Sequence, residues 1–286
     1  MDYDAIGRRI EDVERIKRLR LIDDDFMNVC FDNFVEGAEL LLHIILGRDD
    51  IKVCEVHAQK VLKNLSGHDI WLDILATDSK ENVYNFEIQR TDKGAHCKRA
   101  RYHSSLIDSH MLQSGCEFTD LRENYVIFIT ENDVLGGKKP LYRIERKIID
   151  TDEFFNDGEH IVYVNGEAKD QTTELGKLMH DFYCRDSKDI VHKVLSDRVK
   201  YFKEDEKGVD TMCEVFEEVR REGMEKGEQI GIEKGEQIGI EKGKDMERRK
   251  GAINLLSLGK LSYEEISSAM GLTIDEVREL AENMSA

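Results

Sequence analysis

A chain of 286 residues, 40% hydrophobic, can bury one large core and still carry appendages. Its 60 acidic residues outnumber 42 basic ones, and a net charge of −18 excludes binding nucleic acid through the field of the whole molecule. No apolar run nears the roughly 20 residues that span a bilayer, the charged start M-D-Y-D-A-I-G-R-R has no signal-peptide core, and the six cysteines (30, 54, 97, 116, 184, 213) form no C-x-x-C and no His/Cys cluster at zinc spacing. Reduced thiols, a cytoplasmic location and no structural zinc are expected.

Residues 1–20 read as a charged helix or arm. Asp23-Asp24-Asp25 forms an N-cap cluster for a helix from near Phe26. A second helix, Val35–Leu46, is strongly apolar and should be buried. Ile51–Lys63 alternates and predicts a strand. Asp69–Arg90 then predicts a β-hairpin turning through Asp78–Asn82. Ile70, Leu72, Ile74 and Ala76 share one face with Tyr84, Phe86 and Ile88, while Asp73, Asn85, Glu87 and Gln89 share the other.

Centring the turn on Lys80 pairs Thr77 with Val83, Leu75 with Asn85, and Asp73 with Glu87. Two carboxylates about 5 Å apart across a ladder repel each other and oppose each other's ionisation. Hard oxygen ligands on adjacent strands suit Mg²⁺ or Mn²⁺ as the missing positive charge. The alternatives are that both side chains splay into water, or that an arginine between them serves as a fixed counter-charge.

After Arg90, Thr91-Asp92-Lys93-Gly94 reads as a turn and Ala95–Gln113 as a long helix. Residues 90–103 hold Arg90, Lys93, Lys98, Arg99 and Arg101 against Asp92 alone, with His96 and His103, which makes a local basic patch. Lys98, Arg101 and Ser105 fall within roughly a 60° arc of one helical face, with Tyr102 at its border. That face serves either phosphate contact or solvation. Tyr125–Thr130 reads as a buried central strand, Leu141–Ile149 and His160–Asn165 as further strands, and Leu175–Cys184 and Ile190–Phe202 as closing helices. His180 and His192 read as surface or core residues rather than metal ligands.

From Arg220 the composition shifts. E-K-G-E-Q-I-G-I occurs at 225–232 and again at 233–240, and glycine recurs every fourth residue from 223 to 243. Each glycine destabilises a helix by about 1 kcal/mol against alanine. A stripe of them lets two helix backbones approach closely, so 206–250 reads as a self-association helix, with a flexible linker as its alternative. Residues 251–286 carry two S/T-x-x-E capping boxes, at 262 and 273, in a small helix-turn-helix-like module. Its second helix holds four acidic residues and one arginine, so packing or dimerisation is expected of it rather than base reading.

D-x13-E-x-Q within two alternating strands resembles the active-site hairpin of PD-(D/E)XK nucleases. More narrowly, D-D-D-F-M (23–27), W-L-D-I-L-A-T-D (71–78), N-F-E-I-Q-R (85–90), K-R-A-R-Y-H-S-S (98–105), F-I-T-E-N-D (128–133), P-L-Y-R-I-E-R (140–146) and Y-V-N-G (163–166) resemble the PD-(D/E)XK nuclease family transposases, the recombination-promoting nuclease group, over about residues 20–205. The resemblance implies an α/β restriction-endonuclease-like core, a mixed sheet flanked by helices within 21–205, followed here by an α-helical tail. It implies a Mg²⁺- or Mn²⁺-dependent DNA endonuclease. Asp73, Glu87 and the Ile88 carbonyl would hold the metal, and Asp73, Glu87 and Gln89 would be catalytic. An acidic residue on an N-terminal helix would complete the site, with Asp24, Asp25, Glu36 and Glu39 all open. Arg90, Lys98, Arg101, Tyr102 and Ser105 are the candidates for substrate contact. Gln89 stands where the superfamily usually has lysine, and glutamine neither carries charge nor acts as a base. The rival expectation is a nuclease fold without catalysis, acting as an oligomeric DNA- or protein-binding regulatory subunit.

Overall fold

The computed structural model describes residues 3–64, 67–90 and 94–285, so the turn read at Thr91–Lys93 lies outside the described residues. Two compact units divide the chain, residues 1–215 and 216–286.

In the first unit, α1 (Tyr3–Arg18), α2 (Asp24–Phe31) and α3 (Val35–Leu46) precede β1 (Val53–Leu62), β2 (Ile70–Asp78) and β3 (Val83–Gln89). There follow α4 (Cys97–Met111), β4 (Asn124–Thr130), β5 (Leu141–Ile144), β6 (Lys147–Ile148), β7 (Glu153–Phe154), β8 (Glu159–Asn165), α5 (Glu174–Tyr183) and α6 (Lys193–Glu204). The main sheet has the order β1-β2-β3-β4-β8-β5 and is mixed. The first three strands are antiparallel, β3-β4-β8 are parallel, and β5 closes the edge antiparallel to β8. The run predicted as one strand over Leu141–Ile149 breaks after Ile144, and β6 pairs with β7 as a separate two-stranded ribbon. This mixed six-stranded sheet with flanking helices is a PD-(D/E)XK-like α/β fold.

The order strand, α4, strand follows from chain geometry: parallel partners need a crossover, and α4 supplies it between β3 and β4. Alternation places Val83, Asn85 and Glu87 on one face of β3 and Tyr84, Phe86 and Ile88 on the other. All six are buried, so this strand is covered on both sides. Leu106 and Ile107 of α4 share a core cluster with Val83, Val126, Phe128 and Tyr163. Burial on both faces explains why β4 carries no polar alternation.

The hairpin turn is set by one buried carboxylate. Asp78 accepts hydrogen bonds from Lys80 N, Asn82 N, Asn82 Nδ2 and the Tyr84 hydroxyl, and the turn adopts positive φ at Glu81. At the other end of β3, Gly166 brings the chain against β4. A Cβ there would sit 2.4 Å from the Thr130 carbonyl oxygen, which only glycine avoids.

In the second unit, α8 (Tyr263–Met270) and α9 (Ile274–Ser285) close on the C-terminal part of α7 (Glu206–Leu258). Ala252, Ile266, Leu272 and Val277 form its core. Ser262 and Glu265 form a reciprocal capping box, as do Thr273 and Glu276, and Gly271 ends α8 at φ 67°. Residues 251–258, the start of the module read at 251–286, are the last part of α7. No helix among the described residues is long and apolar enough to cross a membrane.

Candidate active site

Asp73 and Glu87 come together where two strands part. The β2-β3 ladder runs Thr77↔Val83, Leu75↔Asn85, Ile74↔Phe86 and goes no further. One residue on, the Asp73 carboxylate takes the place of a backbone carbonyl: its Oδ2 accepts the Ile88 N–H at 2.8 Å. Gln59, which faces Asp73 from β1 by the flanking register, has φ 51°, a left-handed backbone rare in a strand. The sheet is thus opened at the point where the carboxylates project.

Glu87 is fully buried and already has partners. Asn85 Nδ2 donates to Oε1 at 3.0 Å, Arg99 Nη2 donates to Oε2 at 3.3 Å, and His103 Nδ1 lies 3.3 Å from Oε1. Arg99 Nε donates to His103 Nε2, so a neutral His103 carries its proton on Nδ1, facing Glu87. Arg99 and His103 sit one turn apart on α4. This is not the face of Lys98, Arg101 and Ser105, which are exposed. Ser105 donates to the Arg101 carbonyl, and Tyr102 donates to the His68 carbonyl while accepting from Asn64, holding the loop before β2. None of these four contacts the carboxylates. The groups that α4 brings to Glu87 are Arg99 and His103. Their signal lay in the sequence, since His103 falls in the same helical stripe as Ala100, Leu106 and Ile107.

Arg99 contacts Glu87 and does not bridge to Asp73, whose described hydrogen-bond partner is the Ile88 N–H. The pair is left with surplus negative charge. Burial first, then Glu87, then Asp24 push the Asp73 carboxyl up to about 7, against the opposing pull of the Ile88 N–H and Arg99.

Among the four acidic residues open at the N-terminal helices, Asp24 is the one whose field reaches Asp73. It is exposed as a residue, yet partial desolvation raises its carboxyl while Arg90 pulls the other way. Asp25 pairs with Arg15, Glu39 accepts the Val53 N–H, and Glu36 is exposed. Asp23 does not cap its helix through its side chain. It accepts from the Arg20 backbone and guanidinium and pairs with Arg90, which also reaches Glu131. Gln89 makes no side-chain hydrogen bond among the described residues. Its amide lies where a side chain on residue 94 would be, and Gly94 leaves that room.

A hard divalent cation fits this donor set. Two carboxylates and the Ile88 carbonyl offer oxygen alone, the charge at Asp73 is only partly offset by the Ile88 N–H and Arg99, and the buried Asn85 Oδ1 has no partner. Residues 38–178, which contain both strands and α4, match the family model described as PD-(D/E)XK nuclease family transposase. This stretch belongs to that family. No curated protein and no solved structure matches the chain. The PD-(D/E)XK match begins after Asp24, Asp25 and Glu36, so the acidic start of α2 is joined to the family's hairpin by folding and lies outside the matched segment.

Proposed function

We propose that this PD-(D/E)XK protein is a Mg²⁺- or Mn²⁺-dependent endonuclease that hydrolyses DNA phosphodiester bonds. The observation that carries the proposal is the Asp73–Glu87 pair at the parted strands, with Asp73 short of compensating charge. Asp73, Glu87 and the Ile88 carbonyl would hold the ion, with Asp24 completing the set. When bound, the metal supplies Lewis acidity toward a phosphate oxygen and lowers the pKa of a coordinated water. Gln89 can orient a water through its amide but cannot remove its proton. Arg99, whose side chain is 41% exposed, can turn from Glu87 toward a substrate phosphate once the carboxylate has another cation. Arg90, Lys98 and Arg101 offer further phosphate contacts along this edge, with Tyr102 and Ser105 beside them on α4. The overall charge of −18 makes affinity weak and steeply salt-dependent.

The test is nicking of supercoiled plasmid DNA. Wild type should cleave in Mg²⁺ or Mn²⁺ and stop in chelator, and Asp73→Ala should lose at least about 100-fold. Retained cleavage by Asp73→Ala would put the chemistry elsewhere. One observation favours a non-cleaving regulatory subunit: Glu87 already has Arg99 as a counter-charge, with glutamine at 89. Calorimetry separates the two, because that subunit takes up no Mg²⁺ or Mn²⁺ at Asp73. The setting we infer is the reducing cytoplasm, in keeping with thiols rather than disulfides at Cys30, Cys54, Cys97, Cys116 and Cys184.

Self-association through α7 is part of the same proposal. In one chain a Cβ on any glycine from 223 to 243 meets nothing within 4 Å, and Ile230, Ile232, Ile238 and Ile240 are 50–60% exposed. A lone helix with six such glycines loses about 6 kcal/mol in propensity, and a second copy against the stripe offsets that loss. Replacing Gly227, Gly231, Gly235 and Gly239 together by leucine tests it: the oligomer seen by sedimentation should dissociate. A pure monomer before and after substitution rules the association out.

A further inference from the structure

We propose a second metal site, for zinc or a similarly soft divalent ion, at the C-terminal end of α5, formed by His180, Asp181 and Cys184. It is chemically unlike the carboxylate pair. Thiolate and imidazole select zinc, whereas the all-oxygen set at Asp73 selects magnesium or manganese. This departs from the expectation drawn from spacing alone: in H-D-x-x-C, His180 lies in the last turn of α5 and Cys184 is the residue that ends the helix.

The spacing is close to that around a tetrahedral ion. Cys184 Sγ lies 3.6 Å from His180 Nδ1 and 3.8 Å from Nε2, and Nδ1 lies 3.4 Å from Asp181 Oδ1, so binding requires the partly exposed ring to turn its nitrogen toward the ion. Bond lengths of about 2.3 Å to sulfur and about 2.0–2.1 Å to nitrogen and oxygen give tetrahedral edges of roughly 3.6 Å for S–N and roughly 3.4 Å for N–O. All three ligand atoms fall within 4.8 Å of one another, so the sulfur–oxygen edge, roughly 3.6 Å around a tetrahedral ion, needs to contract by at most about 1.2 Å.

Asp181 is fully buried and held from behind. Its Oδ1 accepts from Val191 N at 2.7 Å, and its Oδ2 accepts from His192 N at 2.9 Å and His192 Nδ1 at 2.6 Å. A carboxylate oxygen has two acceptor positions, which leaves one on Oδ1 toward His180. Outer donors of this kind orient a ligand carboxylate. The sulfur also lies 3.4 Å from the His180 carbonyl and 3.5 Å from the Asp189 carbonyl. Carbonyl oxygens at a helix C-terminus favour a cation. The His180 side chain, 30% exposed, leaves an approach for the ion and a fourth position for water. An ion here would tie the end of α5 to the 189–192 loop. The neighbouring Tyr183 donates to the Glu131 carbonyl just beyond β4, so that tie would also brace the edge where Arg90 sits.

Cobalt(II) reads the site directly, because a thiolate ligand gives an intense charge-transfer band and tetrahedral coordination gives strong visible bands. Full-length protein should show both at one equivalent of Co²⁺, and Zn²⁺ should bleach them. The spectrum should persist in Asp73→Ala and in a Cys54→Ser/Cys97→Ser/Cys116→Ser variant, and vanish in Cys184→Ser. His180→Gln, at a partly exposed position, should also abolish it with the circular dichroism unchanged, which separates loss of a ligand from loss of the fold. Absence of the band in wild type, or its survival in Cys184→Ser, overturns the proposal.

Discussion

Asp73→Asn should make the metal-free protein more stable above neutral pH while removing its response to Mg²⁺. Folding raises the Asp73 carboxyl from about 4 to about 7. The folded state therefore binds more protons than the unfolded chain between those values, and stability falls as pH rises through that window. Above it the whole loss is in place, on the order of 2–3 kcal/mol once solvent screening at a half-buried group is allowed for. Asparagine keeps the acceptor for the Ile88 N–H and removes the charge. Thermal melts in chelator at about pH 8 should then favour the variant by several degrees, and the gap should close toward pH 5. Added Mg²⁺ should raise the wild type at the higher pH and leave Asp73→Asn where it was. A gap that ignores pH, or a variant that responds to Mg²⁺ like wild type, would remove the argument for a shared cation.

Glu87→Ala carries the other large effect, with the opposite sign. This carboxylate lies fully buried among Asn85, Arg99 and His103, and deleting it strands the donors of Asn85 and Arg99 and leaves a cavity beside His103. Removing one member of a buried ion pair destabilises by about 3–5 kcal/mol. Because Arg99 can swing into water, roughly 3 kcal/mol is expected. Glu87→Gln keeps the volume and one acceptor oxygen, so it should stay within about 1 kcal/mol of wild type while losing cleavage. Urea unfolding of the three proteins measures this. An alanine variant as stable as wild type would mean that Arg99 and His103 do not depend on Glu87. The two carboxylates thus differ: one is tolerated for its chemistry, the other also holds α4 to the sheet.

Much of this was legible because it is periodic. Two-residue alternation around Lys80 marks the hairpin and its register, and the unbroken apolar run at Tyr125–Thr130 marks a strand covered on both faces. Helical periodicity marks Val35–Leu46 to the residue. What escaped was directional. The 98/101/105 face of α4 is conspicuous because it is basic, yet the groups meeting Glu87 come from the stripe that holds Arg99 and His103. Basic residues announce a solvated face, whereas a polar residue turned inward hides among apolar neighbours.

The sequence alone determined the acidic pair, its strands, the family and the glycine stripe, because each is a local pattern that one or two secondary-structure elements express. Only the tertiary structure decided which acidic residue of the N-terminal helices nears Asp73, that Arg99 meets Glu87 without bridging to Asp73, and that the Val191 and His192 backbone amides hold the buried Asp181 carboxylate. Those choices depend on where β2 and β3 part and how α4 and α5 end. Such positions are set by packing between elements distant in the chain, and no local pattern encodes them.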